Sequence, residues 1–377
     1  MKKILFVDTG CEFGGGTKSF LYLLQGLLAQ KKYEIYVFFE NDYETDGKQI
    51  SQIINEMGAK FVKFKPKKQI CKFKKELLRA VSKQLLAKQI YENDYKFALE
   101  ILSFIKPDVV HLNNHFSTNL AYNAAANALN IAVIQHLRKN SAVEKFKLEI
   151  LNRLKFTPIC VSNATYDFYS AQVKMPKNVV YNPVITAQNS GANATSELNL
   201  SGFDESAINI IMPANFLSLK GHELVFDALL GLKRADVRVY FAGGGELVRE
   251  MRAKFDELLR TGRAVYLGFV RRMDEIYAKF DYVLGFSSDE GLPRVAIEAL
   301  SCGLGVIYSD IAVIREIYNI SSKKQDFIIA QRNSVALLGC LENLKKPNDK
   351  TPDNAVIEAF SLENYLFGIG KIYDEIL

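Results

Sequence analysis

Short runs of branched apolar residues recur along the chain, separated by longer stretches in which apolar positions return every three or four residues. Ile4–Asp8, Glu34–Phe39, Lys60–Phe64, Val109–Leu112, Ala132–Gln135, Pro158–Val161 and Asn178–Tyr181 read as strands, each short enough for a parallel sheet buried on both faces. Helical stretches separate most of them, and this βαβ rhythm predicts a doubly wound α/β domain. The rhythm breaks over Thr186–Ser206, a small and polar stretch with little to bury, which reads as an interdomain linker. It restarts with Ile208–Pro213, Val237–Ala242, Val265–Gly268, Tyr282–Gly285 and Gly305–Ser309 as strands. Two α/β domains of similar size follow, and in such sheets ligands bind outside the carboxyl ends of the strands.

Composition changes this picture little. With 377 residues, 49% apolar and 24% charged, the chain excludes disordered, fibrous and collagenous classes and is long enough for two cores. The apolar run Ile4–Val7 is stopped by Asp8, too short for a signal-peptide core, and no stretch approaches the roughly 18 apolar residues of a spanning helix. The expectation is a cytoplasmic protein. Five scattered cysteines form neither a disulfide framework nor a metal-ligand pair.

Charge adds one feature. Between Lys60 and Ile90 stand eleven Lys or Arg against a single acidic residue, Glu76, so this segment carries +10 in a chain whose net charge is +6. A basic excess confined to one stretch argues for a local anionic partner and against a nucleic-acid protein that is basic over a whole face. From Phe73 onward the apolar positions recur at helical spacing, giving one apolar and one basic face, which suits an anionic membrane surface. The competing reading is a helix whose apolar face is buried in the domain and whose lysines are merely solvated.

The chemistry concentrates in Ser287–Leu300. The strand Tyr282–Gly285 runs into a short loop, and Pro293 is placed at the first helical position, with the helix ending near Cys302-Gly303. The start of that helix offers unpaired N–H donors and a positive dipole end, suited to phosphate. Glu290 precedes the helix and Glu298 lies about five residues into it, so two carboxylates flank an anion site where each can accept from ligand hydroxyls. Glu298 sits among Val295, Ala296, Ile297, Ala299 and Leu300, and a carboxylate in such surroundings must find donors. A lone glutamate there reads as an ion pair or an edge residue; the companion Glu290 turns the reading toward a ligand.

The pattern Glu290-Gly291-Leu292-Pro293 to Glu298-Ala299-Leu300 resembles the Glu-x7-Glu signature of retaining GT-B glycosyltransferases of family 4. The segment from Asn215 through Lys220-Gly221-His222 is similar to that family's Arg-Leu-x-x-x-Lys-Gly-His stretch, Gly243-Gly244-Gly245 to its Gly-rich turn, and Tyr266-Leu267-Gly268-Phe269 to its base-side strand. Gly14-Gly15-Gly16-Thr17-Lys18 is similar to its acceptor loop, and Asn182-Pro183 to the dipeptide that leaves the first domain.

The resemblance implies a GT-B architecture: two Rossmann-like doubly wound domains facing a cleft, with residues 1–185 on the acceptor side, 207–359 binding the nucleotide sugar, and a helix near 360–377 returning to the first domain. It implies retaining transfer of a hexose or N-acetylhexosamine from a UDP- or GDP-sugar to a glycan or lipid-linked acceptor in bacterial cell-surface polysaccharide or lipopolysaccharide assembly, with no cofactor and no metal. Lys220 would hold the diphosphate, Glu290 the donor sugar and Glu298 the ribose, with His136 beside the reacting sugar. Asn215, Gly291, Leu292, Pro293, Arg294, Gly243, Gly244 and Phe269 would line the donor. Gly15, Gly16, Thr17, Arg138 and His115 would lie on the acceptor side.

Two positions depart from the family pattern. Asn215 stands where an arginine is usual, which leaves Arg294 or Arg138 as replacement cations, and Ala312-Val313 replace a Gly-Gly before Glu316. Rival chemistries fare less well. Thr17 separates Gly16 from Lys18, against a phosphate loop, no Gly-x-Gly-x-x-Gly follows a strand, and no Asp-x-Asp metal motif occurs. A non-catalytic two-domain nucleotide or sugar binder is the remaining alternative.

Overall fold

A computed structural model describes the chain except for residues 46, 69, 186–202, 271 and 348, so most of the linker read at 186–206 lies outside the described residues. The chain folds as two compact units, Met1–Asn182 with Tyr365–Leu377, and Pro183–Asn364.

The first unit holds six parallel strands: β1 (Lys2–Asp8), β2 (Tyr33–Phe39), β3 (Lys60–Phe61), β4 (Val109–Leu112), β5 (Ala132–Leu137) and β6 (Thr157–Cys160), in the order β3-β2-β1-β4-β5-β6. Phe6 of β1 pairs with Val37 on one side and His111 on the other, and the middle strands are buried on both faces, polar His111, Gln135 and His136 included. Helices α1 (Gly15–Gln30), α2 (Lys72–Val81), α3 (Lys83–Ile105) and α4 (Phe116–Ala128) lie in the connections.

The second unit repeats the arrangement with β7 (Ile208–Pro213), β8 (Val237–Ala242), β9 (Ala264–Gly268), β10 (Tyr282–Gly285), β11 (Gly305–Ser309) and β12 (Phe327–Ala330), ordered β9-β8-β7-β10-β11-β12. Its core joins Ile210, Val239, Phe241 and Leu284 of the sheet to Phe226 and Phe255 of the covering helices.

In both sheets the order reverses between the first and fourth strands, β1 against β4 and β7 against β10. At such a switch point the flanking loops diverge to opposite faces and leave a crevice for ligand. Helix α5 (His222–Gly231) follows β7 and helix α6 (Arg294–Ser301) follows β10. The last helix, α7 (Leu362–Ile376), packs in the first unit from Tyr365 onward: Leu366 lies where any Cβ on Gly26 would collide, and the rings of Tyr373 and Tyr33 stand 5.7 Å apart.

Several sequence expectations are corrected. Asn178–Tyr181 is not a strand; it touches the sheet only through a Cys160–Val179 bridge. Lys60–Phe64 shortens to the two-residue edge strand β3. Phe327–Ala330, read as no element, is the sixth strand of the second sheet, half-buried at its edge. Pro293 immediately precedes α6 instead of opening it.

Candidate active site

The loops that leave β7 and β10 at the second switch point bring together residues seventy positions apart. After β7 the chain makes a 3-10 turn over Ser218–Lys220 and enters α5 through Gly221 at φ +76°. That left-handed backbone disfavours side chains, and a Cβ on Gly221 would also strike the carbonyl of Phe286 in the neighbouring loop. The two loops are stitched further by Ser288 N–H donating to Leu219 O at 2.8 Å.

This close approach puts Lys220 Nζ 2.5 Å from Glu290 Oε1. The same carboxylate oxygen accepts from Ser287 Oγ at 2.7 Å and from Tyr308 Oη at 3.4 Å. Burial and the Glu290 charge push the Tyr308 hydroxyl well above its ordinary pKa, so it remains a donor at any physiological pH.

Glu298 finds the donors that its apolar helix demands. Tyr277 Oη donates to Oε2 at 3.2 Å, and the Arg294 guanidinium, one turn earlier on α6, stands 3.5 Å from Oε1. Burial first, then Glu298, raise the Tyr277 pKa well above its usual value. Arg294 also donates to Pro183 O at 2.8 Å. Gly291, Leu292 and Pro293, between the two carboxylates, are buried.

Asn215 occupies a structural clasp. Its Oδ1 accepts from Gly244 N–H at 3.0 Å, and Phe216 N–H donates back to Gly244 O at 2.8 Å. Gly243 lies so close to the Ala214 carbonyl that a Cβ would overlap it. A cation that the sequence reading did not single out stands nearby: Arg332 Nε donates to Phe286 O at 3.0 Å, and its Nη2 lies 3.4 Å from where a Cβ of Gly221 would sit. Phe269, beyond the end of edge strand β9, is exposed, and His222 is buried against the Phe216 ring at 4.7 Å, with burial lowering its pKa to about 4.

The first unit places its candidates at its own switch point. Gly15, Gly16 and Thr17 form the first turn of α1; Thr17 Oγ1 and Tyr43 Oη are 3.0 Å apart, and Gly16 leaves room for the Arg138 side chain. Arg138 is buried: Nε donates to Asn113 Oδ1, Nη1 to Asn182 Oδ1, and Nη2 to Tyr365 Oη at 3.3 Å. Asn113 in turn donates to Asp8 at the end of β1.

His136 does not follow its strand but lies inside β5, fully buried, with Nδ1 3.2 Å from His111 Nε2. His111 Nδ1 meets Tyr373 Oη at 2.7 Å. Burial, then the Arg138 charge, hold both imidazoles well below the usual histidine pKa, so both are neutral. His115, just before the next helix, is buried too, and its pKa falls to about 4 through burial and then Lys139 and Lys147.

Thus the structure gathers Lys220, Glu290, Gly291 and Leu292 around one crevice of the second unit, sets Glu298 and Arg294 on the helix that borders it, and gathers Gly16 and Arg138 in the first. Among the described residues no group of three His, Cys, Asp or Glu is arranged to hold a metal ion.

Known proteins resemble this chain in sequence and fold. Residues 196–358 match the family model for glycosyl transferases group 1. The putative glycosyltransferase EpsF of Bacillus subtilis (strain 168) is 30% identical over 122 residues, a stretch spanning 32% of this chain and 32% of that protein. A glycosyltransferase from Rickettsia africae ESF-5 superposes with a TM-score of 0.75 at 18% identity, covering 100% of this chain and 98% of that one. Anabaena Alr3699/HepE in complex with UDP and glucose gives a TM-score of 0.69 at 16% identity, covering 100% of both chains. The chain therefore has the two-domain GT-B fold, and its second unit carries a glycosyl transferases group 1 domain.

Proposed function

We propose that the protein is a metal-independent, retaining glycosyltransferase that uses a nucleotide-diphosphate sugar and transfers its hexose or N-acetylhexosamine to a glycan or lipid-linked acceptor of the cell surface. The observation that carries this reading is the Lys220–Glu290 pair at the switch point, beside the start of α6. A diphosphate entering the crevice draws Lys220 away from Glu290, and the freed carboxylate then accepts from sugar hydroxyls. The N–H groups at the start of α6 and the Lys220 ammonium neutralise charge on the departing diphosphate. Glu298, held by Tyr277 and Arg294, accepts from the ribose hydroxyls.

In the transfer step the bond from the anomeric carbon to the phosphate oxygen breaks and a bond to the acceptor oxygen forms on the same face. The acceptor proton passes to the leaving phosphate, so the protein supplies positioning and charge instead of a nucleophile. Arg332, next to the Lys220 turn, is the cation we assign in place of the arginine that Asn215 replaces. UDP is the nucleotide to try first, because Alr3699/HepE of the same fold has been seen with UDP and glucose. A thermal-shift screen of UDP, GDP and their sugars, followed by product analysis with the stabilising sugar, tests the reading. Stabilisation by one nucleotide family and a product of retained configuration support it; no response to any nucleotide, or an inverted product, rejects it.

A further inference from the structure

The apolar face of the basic segment is not covered. Helix α2 has no buried residue, and Phe73, Leu77 and Val81 are 81%, 55% and 67% exposed. At about 100° per residue these three fall within an arc of roughly 80°, forming one continuous stripe along the helix. Leu85 and Ile90, on the following helix, are exposed as well. Large apolar side chains are usually scattered singly over a protein surface; five within eighteen residues of chain mark a contact surface.

The stripe leads directly into an anchored helix. Ser82 turns the chain out of α2 and caps α3, its Oγ accepting from the N–H groups of Gln84 and Leu85 at 3.2 and 3.4 Å. Helix α3 is then anchored by Leu86, Phe97, Ala98, Ile101 and Leu102, all buried. Around the stripe stand the exposed Lys72, Lys74, Lys75 and Arg79, with Lys63, Lys65 and Lys68 just before them.

We infer that this face docks on an anionic phospholipid surface. A free polyanion would be satisfied by the lysines and would leave Phe73, Leu77 and Val81 in water. A neutral apolar partner would gain nothing from the exposed Lys63, Lys68, Lys72, Lys74 and Lys75, which remain as a basic excess after Lys60, Lys65 and Lys67 pair with Glu34, Glu100, Glu40 and Asp94. Apolar side chains that enter the acyl boundary, ringed by lysines that reach the headgroups, match both features. No helix among the described residues is long and apolar enough to cross a membrane, so the contact is interfacial. Docking of this face is independent of the chemistry proposed for the second unit and is measured without a sugar donor.

Cosedimentation of the full chain with vesicles of phosphatidylcholine alone, and with about a third phosphatidylglycerol, provides the test. Binding should favour the anionic vesicles and weaken with salt, at roughly fivefold per basic residue removed from the surface. Phe73→Ser with Leu77→Ser should lose binding at least tenfold without lowering the melting temperature, since both side chains are exposed; Lys72→Glu with Lys74→Glu should lose it comparably. Equal binding to both vesicle types, or no binding, overturns the inference. So does anionic binding unaffected by the serine pair, which would indicate a simple polyanion site, and so does a dimer in light scattering that the serine pair dissociates.

Discussion

Lys220 and Glu290 meet at 2.5 Å although the chain separates them by seventy residues and three strands. The approach is dictated by backbone: Gly221 at φ +76° admits the Phe286 carbonyl against its Cα, and Ser288 N–H closes the loop onto Leu219. An ion pair so placed, largely sheltered and at the switch point, is the contact that the proposed donor would have to open.

Lys220→Ala should leave the fold intact, because Ser287 and Tyr308 still donate to Glu290, while turnover falls at least about a hundredfold, the scale of losing one charge-stabilising donor. Steady-state kinetics with the stabilising nucleotide sugar check this. A variant with full kcat would remove Lys220 from the leaving-group role.

Arg332→Ala should raise KM for the donor severalfold, and Lys220→Ala with Arg332→Ala should be less than additive if both cations face one diphosphate. Independent, additive effects in a double-mutant cycle would separate Arg332 from the site.

Glu298→Gln should chiefly weaken nucleotide affinity, and Tyr277→Phe should do so by a smaller factor, since it removes one donor that orients the carboxylate. Isothermal titration with UDP or GDP reads both; equal affinity in wild type and Glu298→Gln contradicts a ribose contact.

Much of this was legible in the chain. The inner strands are written as short, predominantly apolar runs, and Val109–Leu112, Ile208–Pro213, Val237–Ala242, Tyr282–Gly285 and Gly305–Ser309 have in the structure the bounds that the pattern predicts. Edges are less legible. Phe327–Ala330 is an apolar run of only four residues, half-buried in the structure and too short to be assigned by pattern alone, and β3 keeps two of its five predicted residues. The glutamates and Lys220 stand out by charge against apolar or glycine surroundings. Tyr277, Tyr308 and Ser287 do not, because a tyrosine inside an apolar run looks like core until its hydroxyl is seen on a carboxylate. Arg332 is invisible for another reason: only the fold brings it to Gly221.

Acid should destabilise the protein. His115 and His222 have folded pKa values near 4 against about 6.5 when unfolded, so between those values the unfolded chain binds more protons. Stability is therefore complete above pH 6.5 and is lost as pH falls toward 4, with a slope of up to about 1.4 kcal/mol per pH unit for each histidine. His222→Phe, which keeps a ring beside Phe216, should flatten the fall in melting temperature between pH 7.5 and 5. An unchanged slope would mean that His222 already titrates normally in the folded state.

The first unit should depend on Arg138 more than on any single apolar contact of α7. Its guanidinium is buried and donates to Asn113, Asn182 and Tyr365, and Asn113 in turn donates to Asp8, so one cation joins the ends of β1, β4 and β5 to the last helix. Arg138→Met keeps the length and removes every donor, stranding two buried amide oxygens; it should cost about 2–4 kcal/mol. Tyr365→Phe removes only the hydroxyl and should cost about 1 kcal/mol. Because a two-unit chain need not unfold in one step, the readout is hydrogen exchange at the amides of β1 and β5. Both variants should lower protection there, and the double variant should lose less than the two single losses combined, since Tyr365 acts through Arg138. Full additivity, or losses confined to the second unit, would show that α7 is held by its apolar face alone.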